Sequence, residues 1–519
     1  MAETKKKTKK ENTKNRWVTV LLMVLLGAIM AMFTAFVIRL NVLPDKYVWI
    51  MIGVFAVLLF LEYLLLHHFK TSIRCVLGVI LALLLSGGLI FGGYMLNRTQ
   101  TALNNLTTVR EQVTEMVVYV RSDDAATTLS ETAGYPYGIM KTQNREVTDQ
   151  AISDLESQLK STLVTREYDG PDTLVAALLS GEVNAMLMNQ AYLEMLSELE
   201  GFANVTESVR QLSILQVVTR VVVPIAETND SSSKTNSGAN DESSAQGKEE
   251  SSSRNDKPDG VFTVFISGID TYGGVSTVSR SDVNILATIN TTTHQVVLIS
   301  TPRDFYVQLP NSGGAYDKLT HAGIYGVDCS MGALEMLYDI DVDYYFRVNF
   351  TGFRDIIDSL GGITVYSDAT FASGGYQFYQ GENYLYGDSA LVFARDRYSF
   401  ADGDRARGRH QMAVIKGVFQ KLMSPEILTT YTTILDAIDG DFETSIPYAL
   451  LSGLVKDQLS SGADWNIVSY SVNGWGDYRV PWSFGVNLNA YVMIPYEETI
   501  ETAKELMRQV RDGEVVTAP

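Results

Sequence analysis

DYYFRVNFTGFRDIIDSLGGITVYS, residues 343–367, decides the fold class of the C-terminal part of the chain. Its first eight residues are rich enough in aromatic and β-branched side chains to predict a strand, and ITVYS at its end predicts another. TGFRDIIDSLGG predicts a helix between them. The glycine pair ends this helix, because glycine readily adopts the left-handed backbone conformation that follows many helices. A strand, a helix and a strand in this order indicate an α/β domain.

The flanking sequence alternates strands and helices in the same way. Predicted strands are VFTVFISGI (261–269), two strands joined by a turn in VNILATINTTTHQVVLIST (283–301), and WNIVSYSV (465–472). Predicted helices are DCSMGALEMLYDI (328–340), a segment after Pro425, and EETIETAKELMRQVRD (497–512). Residues 259–515 are therefore expected to form an α/β domain with helices around a mixed central sheet.

Five arginines crowd the segment ARDRYSFADGDRARGRHQ, residues 394–411, in a chain whose formal net charge is −19. They are Arg395, Arg397, Arg405, Arg407 and Arg409. Planar guanidinium groups donate to phosphate oxygens two at a time, so converging arginines suit a pyrophosphate better than a carboxylate. A solvated, salt-bridged pair of helices is the alternative explanation.

The spacing of these residues separates two faces. A predicted helix that Asp388 is expected to cap leads to Arg395 and Arg397. One face of the next predicted helix carries three polar residues at positions i, i+3 and i+7, namely Asp404, Arg407 and Gln411. A different face carries Arg405 and Arg409. The first set is the candidate site, and the second is expected to be solvated surface.

Polar residues also stand at the ends of predicted strands, where α/β domains place their binding sites. They are Asp270, Asp282, Arg303, Asp304 and, further on, Lys318. Each one alone has an ordinary explanation as a turn, cap or solvent-exposed residue. Together they offer carboxylates and fixed cations without a nucleophilic serine or cysteine. This mixture suits metal-assisted phosphoryl transfer, since Mg²⁺ is usually held by one or two carboxylates plus substrate phosphates.

The N-terminal part of the chain predicts three membrane helices. Stretches long and apolar enough to span a bilayer are residues 17–40, 48–68 and 75–97. A basic tail, residues 1–16, precedes the first of them. By the positive-inside rule this tail is cytoplasmic, and everything after Asn97 lies outside the cell.

Two further segments separate the membrane helices from the C-terminal domain. Residues 98–225 predict a small α/β accessory domain, for which a scaffold or partner-docking role is favoured over ligand binding. A contact with capsule or wall polymer is a weaker hypothesis. Residues 226–258 are rich in Ser, Asn, Gly and charge, which is typical of a disordered linker.

The composition and the motifs argue against several other functions. Two cysteines, Cys75 and Cys329, cannot form a disulfide framework within one domain. The five histidines form no zinc pattern, and neither CxxC nor HExxH occurs. The sequence also lacks a GxSxG elbow and a Walker A loop, which argues against serine hydrolases and P-loop NTPases.

Six motifs in the C-terminal domain strongly resemble the LytR-CpsA-Psr family of cell-wall glycopolymer ligases. In chain order they are FISGID, SRSDVNILATIN, VVLISTPRD, DKLTHAG, NFTGFRDIIDSLGGITV and ARDRYSFADGDRARGRHQ. They cover most of residues 261–424. The three membrane helices and the extra α/β domain most resemble the capsular-polysaccharide members of the family.

The resemblance implies a phosphotransferase outside the membrane. Such enzymes pass a phosphoglycan from a polyprenyl-pyrophosphate lipid to a peptidoglycan hydroxyl, and they hold the lipid tail in an apolar tunnel. The implied pyrophosphate clamp is Arg303, Arg395 and Arg397, and the further head-group residues are Lys318, Asp404, Arg407 and Gln411. The implied ligands of Mg²⁺, or of Mn²⁺ in its place, are Asp270 and Asp282. The base stays open between Asp282 and Asp304. His410 stands where the family often has Gln or Asn.

Two other functions are compatible with these residues. A polyprenyl-pyrophosphate hydrolase would use the same clamp and metal with water as the acceptor. A non-catalytic membrane regulator of capsule synthesis or transcription would need no turnover, but arginines outside the cell argue against nucleic acid as a partner. The expected setting is the cell membrane of a Gram-positive bacterium, with the lipid bilayer, peptidoglycan and capsule-assembly membrane proteins as partners.

Overall fold

The computed structural model describes residues 2–40, 43–68, 72–108, 110–221, 260–269, 274–400, 403–424, 442–485 and 488–518. The linker predicted at 226–258 and the metal ligand predicted at Asp270 lie outside the described residues. The helix predicted directly after Pro425 also falls outside them.

Three long helices form the N-terminal part of the chain. They are α1 (Ala2–Leu40), α2 (Asp45–Tyr63), which a π-helical turn at Leu64–His68 extends, and α3 (Ser72–Thr108). Each contains a segment long and apolar enough to cross a membrane, namely Val20–Leu40, Asp45–Leu66 and Val76–Asn97. The three helices expected from the apolar runs are therefore present.

The accessory domain is a five-stranded sheet with helices on both faces. Its strands are β1 (Arg110–Arg121), β2 (Pro136–Met140), β3 (Val164–Tyr168), β4 (Ala185–Asn189) and β5 (Val209–Val221). Its helices are α4 (Arg145–Leu159), α5 (Pro171–Ser180), α6 (Gln190–Ser197) and α7 (Val205–Ser208). The strand order is β3-β2-β4-β1-β5, with β2 parallel to both neighbours and β1 antiparallel to both. Ala151 and Leu155 of α4 pack on one face, and Leu174 and Leu196 pack on the other.

The C-terminal domain contains the remaining elements. Its strands are β6 (Val261–Ile269), β7 (Ser281–Asn290), β8 (Gln295–Ser300), β9 (Tyr306–Gln308), β10 (Tyr316–Lys318), β11 (Tyr344–Val348), β12 (Ile363–Ser367), β13 (Phe371–Ser373), β14 (Tyr376–Phe378), β15 (Gly381–Leu385), β16 (Phe442–Thr444), β17 (Asn466–Ser471), β18 (Gly474–Arg479) and β19 (Ala490–Pro495). Its helices are α8 (Leu319–Ala322), α9 (Val327–Tyr338), α10 (Phe350–Ser359), α11 (Gly387–Arg395), α12 (Asp404–Leu422), α13 (Tyr448–Ser461) and α14 (Glu497–Arg511). Short 3₁₀ turns occur in both domains at Leu129–Thr132, Pro310–Ser312, Gly323–Tyr325 and Trp482–Phe484.

Six of these strands form a mixed central sheet in the order β16-β11-β6-β7-β8-β17. The pairs β11–β6 and β17–β8 are parallel, and the other three pairs are antiparallel. Side chains alternate between the two faces: Phe265 packs toward Leu334 of α9 and Leu506 of α14, whereas Val264 packs toward Met412 of α12. Both faces are therefore covered by helices, which confirms the predicted fold class.

Two local expectations need correction. ITVYS forms β12 as predicted, but it pairs with β15 in a separate two-stranded sheet and lies outside the central one. Asp388 does not cap α11, because Ser389 Oγ accepts the N–H of Tyr386 there while Asp388 forms an ion pair with Arg354 at 3.0 Å.

Helix α12 packs tightly on β12 at Gly417, where a Cβ would lie 2.5 Å from the Thr364 carbonyl oxygen.

The accessory and C-terminal domains share a core. Ile324, Phe484 and Ala490 of the C-terminal domain belong to the same buried cluster as the side chains of α5 and α6. Val113 of β1 forms backbone hydrogen bonds of 2.9 and 2.8 Å with Ser276 and Val278. The two domains therefore pack against each other through this shared core and through the hydrogen bonds between β1 and the segment that precedes β7.

Candidate active site

A cavity of about 1070 Å³ lies between the central sheet and helices α10 to α13. The strand β6 presents every second residue to it, namely Phe262, Val264, Ile266 and Gly268. Helix α12 presents one face to it, made of Arg407, Gln411, Val414, Val418 and Leu422. Along α12 the lining therefore changes from polar at the N-terminal end to apolar at the C-terminal end.

An ion pair between Asp282 and Arg303 stands at the polar end of the cavity. Arg303 Nη1 donates to both carboxylate oxygens of Asp282, at 3.0 and 2.9 Å, and the Thr320 hydroxyl donates to Oδ1 at 3.0 Å. Burial opposes ionisation of Asp282, but the charges of Arg303, Arg280 and Arg407 outweigh it and lower the pKa of the carboxyl. Asp282 is therefore an ionised carboxylate at neutral pH.

Asp304 and Lys318 form a second pair behind Arg303. Lys318 Nζ lies 3.2 Å from Asp304 Oδ1, and Arg303 Nε lies 3.8 Å from Asp304 Oδ2. Both side chains are nearly buried, and neither is among the described residues that line the cavity. Of the two carboxylates considered as a base, Asp282 reaches the cavity and Asp304 does not.

The arginines of the 394–411 segment divide as their spacing predicts. Arg395, Arg397, Arg407 and Gln411 all line the cavity. Arg395 lies over the Phe350 ring, with its guanidinium carbon 4.1 Å from the ring centroid. On the other face Arg405 is exposed, and Arg409 forms a half-exposed ion pair with Asp368 at 3.4 Å. Asp404 begins α12, and its side chain lies outside the described part of the chain.

His410 points away from this site. Its ring stacks on Phe371 at 5.2 Å between centroids and also contacts Phe393 and Phe400. Burial in this aromatic cluster lowers the pKa of the imidazole. The His410 side chain therefore packs in the hydrophobic core beside α12, the helix to which it belongs.

Several polar residues of the cavity were not predicted as site residues, among them Arg280, Asn349 and Glu198. Arg280 stands two residues before Asp282 in the SRSDVN motif, so its place at the start of a strand could have indicated it. Asn349 caps α10 by accepting the Gly352 N–H at 2.7 Å, which is its ordinary structural role. Glu198 comes from the accessory domain, and nothing in the sequence connects it to this cavity.

The described residues are compatible with a magnesium site at Asp282. Its ionised oxygens are hard ligands, and the arginine-lined space beside them suits the phosphate oxygens that usually complete such a site. Three hydrogen bonds to this carboxylate leave acceptor capacity. Among the described residues no group of three His, Cys, Asp or Glu side chains is arranged to hold a metal ion without a substrate.

Comparison with known proteins identifies the family of this domain. The LytR_cpsA_psr family model matches residues 225–507, which is more than half of the chain. A relative from Enterococcus faecalis is 34% identical over 202 residues, covering 38% of this chain and 66% of its own length. One from Bacillus subtilis is 31% identical over 237 residues, covering 46% and 74%. Both are named polyisoprenyl-teichoic acid--peptidoglycan teichoic acid transferase TagU.

Solved structures give similar coverage. The B. subtilis TagU structure is 26% identical, covers 50% of this chain and 99% of its own, and has a TM-score of 0.39. A structure of TagT bound to LI-WTA is also 26% identical, covers 49% and 92%, and has the same TM-score of 0.39. Residues 225–507, which the family model matches, include all the arginines that line the cavity. On the sequence match over residues 225–507, the chain belongs to the LytR-CpsA-Psr family.

Proposed function

We propose that the chain is a phosphotransferase that moves a glycopolymer from a polyprenyl-pyrophosphate lipid to peptidoglycan. The observation that carries this proposal is the change of lining along α12, from Arg407 and Gln411 to Val418 and Leu422. A cationic site continuous with an apolar cavity matches a ligand whose pyrophosphate is joined to a long hydrocarbon chain. A soluble sugar nucleotide would leave the apolar part without a function.

The reaction exchanges one phosphorus–oxygen bond for another. The acceptor hydroxyl oxygen forms a bond to the phosphorus that carries the glycan, and the bridging bond of the pyrophosphate breaks. The electron pair of that bond leaves on polyprenyl phosphate, while the hydroxyl proton passes to a base. Arg303, Arg395 and Arg397 would neutralise the charge that develops on the phosphate oxygens. This role is supported by their position in the lining of the cavity.

Asp282 is our candidate for the base, because it lines the cavity whereas Asp304 does not. Its lowered pKa makes it a weak base. Phosphoryl transfer tolerates a weak base, since its loose transition state depends more on positioning and charge neutralisation than on deprotonation of the nucleophile.

Magnesium is the cofactor we propose, with Mn²⁺ as a substitute. Asp282 would hold it together with Asp270 and the substrate phosphates, and the bound ion would neutralise phosphate charge. The chain's own arginines bind and orient the pyrophosphate independently of that ion.

Membrane topology is supported by a contact between the membrane helices and the C-terminal domain. Lys46, in the first turn of α2, donates to the carbonyl oxygen of Ser460 at 3.2 Å. Ser460 belongs to α13, whose Leu454 and Gln458 line the cavity. We propose that this end of the membrane helices and the active site lie outside the cell, and that the basic tail is cytoplasmic.

The polymer and the acceptor are the finer part of the proposal. The relatives above are named for teichoic acid, whereas the three membrane helices and the accessory domain favour capsular polysaccharide as the polymer. A Gram-positive host and contacts with capsule-assembly membrane proteins are part of the same proposal. A hydrolase would differ only in taking water as the acceptor.

The test uses the full-length chain in phospholipid vesicles with a polyprenyl-pyrophosphate glycan, Mg²⁺ and a peptidoglycan oligomer. We expect glycan phosphate to become attached to the oligomer, and Arg303→Ala to reduce the rate at least about 100-fold. Arg405→Ala, on the exposed face of the same segment, is the matched control and keeps full activity. Release of polyprenyl phosphate without attachment would favour the hydrolase, and no turnover would favour the regulator.

A further inference from the structure

The accessory domain contributes a carboxylate to the catalytic cavity. Glu198 directly follows α6 and lines the cavity beside Arg280 and Arg303. Its Oε1 accepts a hydrogen bond from Arg280 Nη1, and its Oε2 lies 4.0 Å from Arg303 Nη2. Glu194, one turn earlier on α6, places Oε2 at 3.8 Å from Arg280 Nη2.

We propose that the accessory domain completes the phosphate-binding site, with Glu198 as a positioning residue that holds Arg280 and, through it, the Asp282–Arg303 pair. The proposal rests on the function proposed above. It gives the accessory domain a role in catalysis, whereas the sequence favoured a scaffold or a docking module.

Acidic and basic side chains alternate across the domain interface at the polar end of the cavity. Glu198 faces Arg280 and Arg303 from the accessory side, and Asp282 faces Arg303 from the C-terminal side. Without Glu198, Arg280 would keep Glu194 at 3.8 Å and the attraction of Asp282 as its acidic partners. A shift of Arg280 toward Asp282 would make it compete with Arg303 for that carboxylate, and would disturb the orientation that two hydrogen bonds to Asp282 give to Arg303.

A solvated surface pair is the ordinary alternative, since the Glu198 side chain is 42% exposed. Exposed ion pairs contribute little because water already satisfies both charges. Here, however, the partner side chain of Arg280 is only 10% exposed. A guanidinium removed from water depends on its carboxylate partners far more than a surface one does.

The domain interface fixes Glu198 in this position. Tyr192, on the same helix α6, places its hydroxyl 2.9 Å from that of Tyr325 in the C-terminal domain. Both side chains lie in the shared core described above, together with Phe484. Helix α6 is therefore anchored to the C-terminal domain by apolar packing, in which Tyr192 near its start and Leu196 near its end both take part. Glu198 directly follows its last residue.

The test compares Glu198→Gln with Glu200→Gln, an exposed residue two positions further on, in full-length protein in vesicles. We expect Glu198→Gln to lower kcat about 10- to 100-fold and to change the donor KM less than about threefold, since misplacing a reacting group acts mainly on the transition state. Glu200→Gln should match the wild type. Glu198→Asp, which keeps the charge on a shorter side chain, should recover part of kcat.

A double variant separates positioning from other roles. If Glu198 acts through Arg280, the variant carrying both Glu198→Gln and Arg280→Gln should lose no more activity than Arg280→Gln alone. Losses that multiply would overturn the proposal, as would a wild-type kcat in Glu198→Gln. A lower donor KM in Glu198→Gln would also overturn it, because the carboxylate would then be competing with the donor phosphate. A wild-type protein that transfers nothing would instead count against the proposed function.

Discussion

Asp282 accepts two hydrogen bonds from one nitrogen of Arg303, at 2.9 and 3.0 Å, in the polar end of a cavity that is otherwise mostly apolar. This pair joins the start of β7 to the segment after β8. Each partner therefore fixes the other, and the carboxylate that is the candidate base and metal ligand is also what orients the central arginine.

Asp282→Asn should abolish most of the activity and also destabilise the fold. The amide keeps the shape but removes the charge opposite Arg303, and breaking a buried pair costs about 3 kcal/mol or more. We expect a value at the low end, because Glu198 and Asp304 lie within 4.0 Å of the same guanidinium. Transfer should fall at least about 100-fold.

The measurements for Asp282→Asn are chemical denaturation and the transfer rate. Asp457→Asn, an exposed residue on α13, is the control and should change neither. Wild-type transfer by Asp282→Asn would remove Asp282 from the roles of both base and metal ligand.

Phe350 should support catalysis through Arg395. Its ring centroid lies 4.1 Å from the guanidinium carbon, within the range of a cation–π interaction. Phe350→Leu keeps an apolar side chain but removes the ring, so we expect kcat/KM to fall about two- to fivefold, which corresponds to about 0.5–1 kcal/mol. Phe350→Tyr keeps the ring and should stay near the wild type. Equal activity of the Leu and Tyr variants would show that the ring face is not used.

The sequence predicted the local elements of the C-terminal domain better than their pairing. The segment 343–367 is a strand, a helix and a strand, but β12 leaves the central sheet for β15. Residues 381–385 were not predicted as a strand, because GENYL has neither clear alternation nor a β-branched run. Register between distant strands depends on packing that periodicity does not encode.

The candidate site shows the same limit. Spacing alone placed Arg407 and Gln411 on one face of α12, because helical periodicity is a local property. Glu198 was out of reach, since about 80 residues and a predicted linker separate it from Asp282. Asp304 and Lys318 do belong to the same charged corner, yet their pairing with each other behind Arg303 could only be seen in three dimensions.

Removal of divalent metal should stop transfer without unfolding the protein. Among the described residues no group of three His, Cys, Asp or Glu side chains is arranged to hold a metal ion by itself. The ion should therefore contribute to the reaction more than to the stability of the fold. We expect EDTA to reduce transfer to background and to leave the Tm within about 2 °C. Added Mg²⁺ or Mn²⁺ should restore the rate. Full transfer in EDTA would contradict the magnesium proposal, and a large fall in Tm would indicate a structural ion.

His410 should make the fold less stable in mild acid. The pKa of its imidazole is lowered by burial, which outweighs the carboxylates of Asp396 and Asp368. As the pH falls below 6.5, the pKa of histidine in the unfolded chain, the unfolded chain binds a proton that the folded chain does not bind. Stability is therefore lost between that value and the lower folded pKa, by about 1.4 kcal/mol for each unit of difference.

The comparison for His410 is the Tm of the wild type and of His410→Gln at pH 7.5 and pH 5.5. The wild type should lose more stability between the two conditions, because glutamine does not titrate. Equal losses would show that the His410 pKa is not lowered in the folded protein.

The apolar end of the cavity should select the lipid part of the donor. Val418 and Leu422 line it on α12, one turn apart, so Val418→Trp would fill the space that a long prenyl chain needs. We expect this variant to lose most transfer from a long-chain donor while it keeps transfer from a donor with a short prenyl chain, whose pyrophosphate still reaches Arg303. Gln420→Trp, on the exposed side of the same helix, is the matched control and should not distinguish the two donors. An equal loss with both donors would mean that tryptophan disturbs the arginine site itself, and no loss with either would place the lipid outside this cavity.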